Sequence, residues 1–224
     1  WKSNPDAIIC SSFAPYGNVK SVDGGFVING KWKYSSGCSH SSWALLGGII
    51  PETHGGRPDY RAFLVPRDDY KVERDWETLG LAATESHSLN AEEIYVPEYR
   101  TFRAIDGFAC SSPGNMFNTS PLYRIPFGQL FGMVIVIPMV GALEAAVNHC
   151  LDSKANSENP ILARAVTNSA AIAKTCRTIA DHNLQYLVDT AQKNEVPCTV
   201  ERARIRFDTA RLSRLCVDSI NELF

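Results

Sequence analysis

The chain has 224 residues, of which 45% are apolar and 21% charged, so it can bury a core and is too apolar to be disordered. Its formal net charge of -2 gives no reason to expect nucleic-acid binding, which requires a basic face. It has no uninterrupted run of eighteen apolar residues and does not start with a signal peptide, which argues against a membrane protein. Seven scattered cysteines without zinc spacing predict reduced thiols in a cytoplasmic protein and no metal site.

The first half of the chain has the pattern of short strands. Apolar or alternating runs at 7–10, 62–65, 71–75 and 88–96 are separated by Gly, Pro and Asp residues. Their spacing is that of a sandwich or a barrel. We therefore predict an antiparallel β-barrel or sandwich domain over residues 1–105.

The stretch from Gly24 to Gly48, GGFVINGKWKYSSGCSHSSWALLGG, is the most informative part of this domain. Asn29-Gly30 stands between alternating runs and predicts a hairpin turn. The polar residues from Ser35 to His40 then interrupt the strand pattern. Small hydroxyl residues beside a glycine let hydroxyls and backbone N–H groups approach a flat polar ligand, which makes this a site hypothesis. The alternative is an ordinary solvated loop.

The second half of the chain has the pattern of long helices. Apolar residues recur at helical spacing from Ile125, and Pro138 should kink that helix or mark its true start. A second helix fits Ile161 to Asn194, and a third runs from about Thr199 to the end. Long helices with short connections form antiparallel bundles.

These patterns predict an α+β fold. The β domain covers residues 1–105, an irregular connecting loop covers 106–126, and part of an antiparallel helical bundle covers 127–224. The chain begins without Met and stops inside a helical pattern, so we expect it to be a segment of a longer protein.

The hairpin pattern GGFVINGKWKYSSG and the segment from Pro121 to Phe127, PLYRIPF, carry a family resemblance. A β domain with this hairpin, followed by a long-helix bundle, resembles the acyl-CoA dehydrogenase superfamily. Within it, the chain resembles the oxygenase components of two-component, flavin-dependent aromatic monooxygenases, such as the 4-hydroxyphenylacetate, secosteroid-phenol and indole-acetate hydroxylases. The resemblance covers the central and C-terminal segment, and the superfamily's N-terminal helical domain is absent.

Two departures separate this sequence from the dehydrogenase branch. That branch has an acidic, Gly-rich segment where this chain has CSSFAPYG at residues 10–17. It also has an Arg-x-x-Phe-Gly motif for the cofactor pyrophosphate, which is missing from Lys154 to Pro160. The resemblance therefore implies a diffusible reduced flavin, FMN or FAD, supplied by a separate flavin reductase, rather than a tightly held FAD.

The resemblance implies that reduced flavin and O2 form a flavin hydroperoxide, which hydroxylates a phenolic or indolic small molecule. The serines of the SSG pattern, Ser35 and Ser36, are the expected catalytic residues, because a hydroxyl beside the flavin N5 slows peroxide loss; the resemblance favours Ser36. Gly37 and Arg124 are expected to hold the cofactor with them. The alternatives are that both serines satisfy strand-end backbone groups and that Arg124 is a surface residue.

Three further residues are expected at the substrate. Ser11 and Ser12 follow the first predicted strand, where the resembling enzymes face the substrate ring, and Phe127 belongs to a mobile loop in that family. The alternatives are a turn made by the two serines before Pro15 and ordinary core packing of Phe127.

Two other functions stay open from the sequence. One is a flavin-dependent, acyl-CoA dehydrogenase-like enzyme acting on an acyl thioester, and the other is a non-catalytic interaction module. The continuous apolar run Val134-Ile135-Val136-Ile137 needs more helices around it than this chain contains. With the resemblance, it predicts a homotetramer.

Overall fold

The computed structural model describes residues 4–51, 58–152 and 159–224. The chain divides into two units, residues 1–107 and 108–224, which we call the β unit and the helical unit. The strands are β1 (Ile9–Val22), β2 (Gly25–Trp32), β3 (Trp43–Ile50), β4 (Asp59–Pro66), β5 (Lys71–Glu73), β6 (Ser88–Pro97) and β7 (Thr101–Arg103). The helices are α1 (Ala104–Ala109), α2 (Phe127–Asp152), α3 (Pro160–Gln192) and α4 (Thr199–Leu223). The predicted α+β class is confirmed.

The described strands form one mixed sheet in the order β5-β6-β2-β1-β3-β4-β7. β1 and β3 are parallel, with Ile9 opposite Trp43 and Ser12 opposite Leu46, while the other five neighbouring pairs are antiparallel. The prediction of a purely antiparallel β domain is therefore wrong. Alternation along a strand shows which side chains share a face, but it carries no information about the direction of the neighbouring strand.

The first hairpin turns at Asp23-Gly24 rather than at Asn29-Gly30. Val22 pairs with Gly25 across the turn, and Gly24 has a φ of 72°, which glycine adopts without strain. Asn29-Gly30 lies inside β2, where the register against β6 shifts between Ile28 and Gly30. The Asn29 amide donates to Glu93 Oε1 at 2.8 Å and its oxygen accepts from Glu93 N at 2.7 Å. The Asn-Gly pair predicted as a turn is thus a bulge, held by a side chain from another strand.

β1 extends much further than the sequence indicated. It has fourteen residues, so Ser11 and Ser12 lie within it rather than after it, and no turn precedes Pro15. The pairing of β1 with β3 is interrupted between Ser12 and Gly17, which is how the strand accommodates Pro15. The predicted position of the two serines at a strand end is therefore wrong.

The β sheet curves enough for non-adjacent strands to touch. Phe26 of β2 and Phe63 of β4 are separated by two strands, yet their ring centroids are 5.6 Å apart. The Trp32 ring is fully buried and donates from Nε1 to the Gly47 carbonyl at 2.6 Å. A Cβ on Gly47 would collide with the Phe13 carbonyl oxygen, so glycine is required where β1 bulges over β3.

The connection between the sheet and the long helices is mostly irregular. α1 extends to Ala109, past the predicted start of the loop at residue 106. Beyond it the chain makes two 3₁₀ turns, Pro113–Met116 and Pro121–Arg124. α2 then begins at Phe127.

α2, α3 and α4 pack around one apolar core in the helical unit. Its fully or nearly fully buried members include Met133, Val136, Val140, Leu143, Ala173, Cys176, Ala180, Leu187, Ile205, Leu212 and Cys216. Asn159 caps α3 by accepting from the N–H groups of Ile161 and Leu162, next to Pro160 in the first turn. Pro138 lies inside α2 rather than at its start. Residues 153–158, which contain most of the segment compared with the dehydrogenase motif, lie outside the described residues.

An ion pair joins α2 to α3. Arg177 donates from Nε to Glu144 Oε1 at 2.9 Å and from Nη2 to Glu144 Oε2 at 2.6 Å. Hydrogen bonding to this guanidinium lowers the pKa of the Glu144 carboxyl. The bidentate geometry fixes the two helices at this level.

α2 is long and apolar enough to span a membrane by length and composition alone. A core helix of a bundle passes the same test, and six α2 residues are buried against the other helices. All seven cysteines are free thiols.

Candidate functional site

Two segments of the β unit join beside the end of β2. The first holds the serines of the SSG pattern, and the second is the hydroxyl-rich run from Thr84 to Ser88. Ser35 N donates to the His87 carbonyl at 3.1 Å and Gly37 N to the Thr84 carbonyl at 2.7 Å. Cys38 Sγ lies 3.3 Å from the Glu85 carbonyl, to which it donates. The polar residues after β2 are therefore part of a tertiary contact and not a solvated loop.

The backbone N–H groups of this segment are used within the protein. Besides Ser35 and Gly37, the amides of Ser36 and Cys38 donate to the carbonyls of Tyr34 and Ser35 at 3.2 and 3.1 Å. The hypothesis that these N–H groups bind a ligand is not supported, because they already have acceptors. Side-chain hydroxyls are the groups this segment can offer.

Three hydroxyls form a chain next to this contact. The exposed Ser36 Oγ lies 2.8 Å from Ser86 Oγ, which lies 2.7 Å from Thr84 Oγ1. Thr84 Oγ1 donates to the Leu81 carbonyl at 2.9 Å, and Trp76 Nε1 donates to the same oxygen at 3.0 Å. The chain therefore runs from the surface at Ser36 to a buried Ser86 and ends on a backbone carbonyl.

Ser35 has a different environment from its neighbour. Its side chain is completely buried, and Oγ has no hydrogen-bond partner among the residues that the structure describes. A buried hydroxyl without a partner is uncommon and destabilising. The two serines thus offer one hydroxyl at the surface and one beneath it.

Three of the six non-glycine residues with a left-handed backbone in the described part of the chain lie in or next to these two segments. Tyr34, Leu81 and Glu85 have φ values of 63°, 58° and 45°, in the left-handed region that side chains disfavour. Each costs about 1–2 kcal/mol, so the surrounding contacts must hold them. Gly37, with a φ of 73°, adopts the same conformation without a side-chain penalty. Strain of this kind is typical of functional sites.

A pocket of ≈ 280 Å³ lies behind Ser86. Tyr34 and Trp76 line it with their rings 6.0 Å apart and edge to face, and Lys33 adds a cationic side chain. Asp75 also lines it and accepts from Ser88 N at 2.8 Å and from Ser88 Oγ at 2.6 Å. Those hydrogen bonds from Ser88 lower the pKa of the Asp75 carboxyl, which keeps it ionised. Two aromatic side chains and six polar or charged ones therefore line the pocket.

Ser11 and Ser12 lie on β1 and point to opposite faces. Ser12 is buried and its Oγ donates to the Lys33 carbonyl at 2.6 Å, directly before the segment of Tyr34 and Ser35. Ser11 is exposed. Their predicted contact with a substrate stays a prediction, and it now rests on a strand position rather than a loop.

Arg124 and Phe127 belong to the helical unit. Arg124 ends the 3₁₀ turn Pro121–Arg124, is half-buried, and has no hydrogen-bond or ion-pair partner among the described residues. The Phe127 ring lies 5.6 Å from Phe131 in a stacked arrangement and 6.4 Å from Phe108. Their predicted roles toward flavin and substrate stay predictions.

Sequence reasoning missed Thr84, Ser86 and Asp75. The concentration of hydroxyl residues in TESHS, residues 84–88, was a signal for Thr84 and Ser86 but not for Asp75. His87 Nδ1 accepts from Trp76 N at 3.1 Å, so this histidine supports the loop. In the described ranges, no three His, Cys, Asp or Glu side chains come together to hold a metal ion.

No family model matches the chain. It is 34% identical over 239 residues to the flavin-dependent monooxygenase, oxygenase subunit HsaA, of Rhodococcus jostii, a match that covers 100% of this chain and 61% of that protein. It is 33% identical over 153 residues to the FADH2-dependent resorcinol hydroxylase, oxygenase component, of a Rhizobium species, covering 68% of this chain and 37% of that one.

The crystal structure of 3-HSA hydroxylase from Rhodococcus sp. RHA1 has the same fold, with a TM-score of 0.90 and 30% sequence identity. That match covers 100% of this chain and 59% of the solved one, so the chain spans about three fifths of the length of such relatives. Because the likeness runs through the entire chain in both sequence and structure, the chain belongs to the family of oxygenase components of flavin-dependent monooxygenases.

Proposed function

We propose that the protein containing this chain uses reduced flavin and O2 to hydroxylate an aromatic small molecule, phenolic or indolic. Membership of the oxygenase-component family supports this, as does the resorcinol hydroxylase among its relatives. The word component in that relative's name supports a separate flavin reductase as the transient partner. The free thiols suit a reducing compartment such as the cytoplasm.

The observation that carries the proposal is the hydroxyl chain ending at exposed Ser36. Thr84 gives its single proton to the Leu81 carbonyl, because a carbonyl oxygen can only accept. Ser86 must then donate to Thr84, and Ser36 must donate to Ser86. Ser36 Oγ therefore keeps only lone pairs for a further partner. It is an acceptor at the protein surface.

The residues of this site fit a flavin ring. A reduced flavin, when bound, supplies the activation of O2 and the transfer of one oxygen atom to the aromatic substrate. Ser36 would accept the hydrogen of the flavin N5 and so keep that proton in place. A Cβ on Gly37 would have no atom within 4 Å, so there is open space beside the serine. The buried, unpartnered Ser35 Oγ is a second hydroxyl that a cofactor could satisfy after a small rearrangement.

We further propose that residues 1–105 provide this flavin and substrate face, with Ser11 or Ser12 near the substrate ring. Arg124 and Phe127 would come from the connection and first bundle helix. The unpartnered guanidinium of Arg124 suits an anionic reduced flavin or a carboxylate substrate.

The test is Ser36→Ala in the full-length protein, supplied with reductase, flavin and O2. One hydrogen bond to a polarised group is worth about 1.5–3 kcal/mol, and each 1.36 kcal/mol is about tenfold in rate. We expect unproductive release of hydrogen peroxide to quicken by roughly ten- to a hundredfold. Reduced-flavin affinity, measured by anaerobic titration, should change by less than about threefold, because the ring keeps its other contacts.

Three comparisons sharpen the result. Ser42→Ala is the control, because it removes another hydroxyl of the β unit, which donates to the Ile8 carbonyl at 3.3 Å. Its rate of hydrogen peroxide release should match that of the parent. Arg124→Ala should weaken binding of reduced flavin or substrate more than it raises peroxide release. If Ser35→Ala uncouples hydroxylation and Ser36→Ala does not, the role belongs to Ser35. If the parent protein neither binds reduced flavin nor consumes O2 with it, the proposed function is wrong.

We also propose that the full-length protein is a homotetramer. Phe131, Val134 and Ile135 on α2 are 48%, 57% and 48% exposed within the described residues. Apolar surface of this extent on one helix is expected to be covered by other helices. Light scattering at micromolar concentration would report a tetramer mass. A monomer mass at that concentration would contradict the proposed homotetramer but would not bear on the proposed catalytic role of Ser36.

A further inference from the structure

The proton order along Ser36, Ser86 and Thr84 has a consequence for the reaction. A free serine hydroxyl rotates and can either donate or accept. Beside N5–H only an accepting hydroxyl is favourable, since two hydrogens pointing at each other repel. A hydroxyl that must be oriented at the moment of reaction contributes less than one oriented beforehand. What orients Ser36 therefore matters as much as Ser36 itself.

The structure supplies that orientation through fixed acceptors. The Leu81 carbonyl accepts the Thr84 proton, and this single backbone oxygen sets the direction of every hydroxyl above it. Ser86 is buried, so water does not compete for its proton. The three donor–acceptor distances, 2.9, 2.7 and 2.8 Å, are all those of good hydrogen bonds.

The segment that contains Thr84 and Ser86 has a strained backbone, which contacts with the Ser36 segment hold in place. Leu81 and Glu85, on either side of Thr84, have left-handed backbone conformations. Gly37 N and Cys38 Sγ anchor the carbonyls of Thr84 and Glu85 from the segment that follows Ser36. These two contacts join the strained turn directly to the segment that contains Ser36. Relaxing the turn would remove the acceptor from Ser36.

We propose that Ser86 and Thr84 are positioning residues that hold the Ser36 hydroxyl as a pure acceptor for the N5 hydrogen of a reduced flavin. This rests on the proposed function, in which Ser36 meets N5. Neither residue needs to touch the flavin. Removing the Ser86 hydroxyl frees the Ser36 proton to rotate outward. Removing the Thr84 hydroxyl lets Ser86 reverse, donate to Ser36 and release the Ser36 proton in the same way.

The variants are Ser86→Ala and Thr84→Val in the full-length protein, with Ser86→Thr and Thr84→Ser as conservative partners that keep each hydroxyl. The first pair should release about two- to tenfold more hydrogen peroxide per reduced flavin oxidised, the size expected for one neutral hydrogen bond. Reduced-flavin affinity by anaerobic titration should stay within about twofold. The conservative pair should recover most of the coupling.

A double-mutant cycle separates orientation from simple loss of structure. If Ser86 acts through Ser36, adding Ser86→Ala to Ser36→Ala should raise peroxide release no further. A purely structural role would add its full effect in that background, and this outcome would overturn the proposal. The proposal would also be overturned if Thr84→Val released no more hydrogen peroxide per reduced flavin oxidised than the parent.

The same set of proteins distinguishes this failure from failure of the proposed function. If Ser36→Ala uncouples the reaction while Ser86→Ala and Thr84→Val match the parent, only the positioning role is wrong. If Ser36→Ala matches the parent too, both the role of Ser36 and the relay that serves it are wrong. Circular dichroism of each variant checks that its fold is retained.

Discussion

Hydroxyl groups are used differently in the two units of this chain. In the helical unit, Thr167, Thr175, Thr178, Thr190, Thr209 and Ser213 each donate to the carbonyl four residues earlier in the same helix. In the β unit, Ser12 donates to a carbonyl 21 residues away, and Ser36 contacts a hydroxyl 50 residues away. Most helical hydroxyls are thus satisfied locally, with Ser169 as an exception that donates to the Ser219 carbonyl of α4, whereas Ser12 and Ser36 of the β unit depend on tertiary structure.

This difference explains why the candidate site lies where it does. A hydroxyl bonded within its own helix turn keeps that bond in any context and carries no information about a distant residue. A hydroxyl bonded across the sheet is oriented only when the fold is complete, so its direction can serve a reaction. Backbone strain occurs in both units, because Cys110 and Asn194 of the helical unit also have positive φ values, 56° and 66°.

The largest expected effect is on the stability of the β unit. Trp32→Ala removes a fully buried ring and its bond to the Gly47 carbonyl and should lower the free energy of unfolding by about 3–5 kcal/mol. The chain's four tryptophans lie in residues 1–107, so fluorescence of the remaining three follows this unit in denaturant.

Far-UV ellipticity, which is dominated by α2, α3 and α4, is the companion signal. If the fluorescence transition moves and the ellipticity transition does not, the two units differ in stability as well as in chemistry. Coincident shifts would mean that the two units unfold together. The units would then differ in how their hydroxyl groups are used but not in stability.

A tertiary hydroxyl should matter more than a local one. Ser12→Ala leaves the Lys33 carbonyl without its hydroxyl donor and should cost about 1 kcal/mol of unfolding free energy. Thr178→Ala, at an exposed position of α3, is the matched control, because its bond to the Lys174 carbonyl is within one helix turn. That control should stay within about 0.5 kcal/mol of the parent. Equal costs in chemical denaturation would break the distinction between the two kinds of hydroxyl.

The smallest effect concerns the ion pair Glu144–Arg177, a tertiary polar contact of the helical unit. Glu144→Gln should cost about 0.5–1 kcal/mol at neutral pH, since both side chains are 35% exposed and solvent screens the pair. Arg177 lowers the pKa of the Glu144 carboxyl from its ordinary 4.5. The contribution is therefore complete above about pH 4.5 and is lost as the pH falls through the lowered value.

The control for that pH dependence is Glu201→Gln, which removes the salt bridge of Glu201 to Arg204 three residues along α4. Such a local pair is worth roughly 0.2–0.5 kcal/mol. The denaturation midpoints of both variants are measured between pH 7 and acidic pH. The midpoint of Glu144→Gln should converge on that of the parent as the pH falls. A gap for Glu144→Gln that persists in acid would show that the loss comes from packing rather than charge.

The sequence by itself determined the parts of this protein that depend on neighbours along the chain. Helical periodicity predicted α3 and α4 to within a few residues of the ends observed, and apolar or alternating runs predicted the strands that hold Phe63 and Ile94. The SSG pattern marked the segment where the serines meet the second loop. Each of these signals is a repeat or a short motif, which local sterics and burial are enough to impose.

Other features depend on residues that are distant along the chain. The parallel pairing of β1 with β3 depends on where the chain returns after the first hairpin, and the Asn29-Gly30 bulge depends on Glu93 from β6. Ser36 looks the same as Ser35 in the sequence. Ser36 is exposed and donates to Ser86, whereas Ser35 is buried without a partner in the part of the chain that the structure describes. A hydroxyl's direction is set by its acceptor, and here the acceptor stands fifty residues away, beyond the reach of any local pattern.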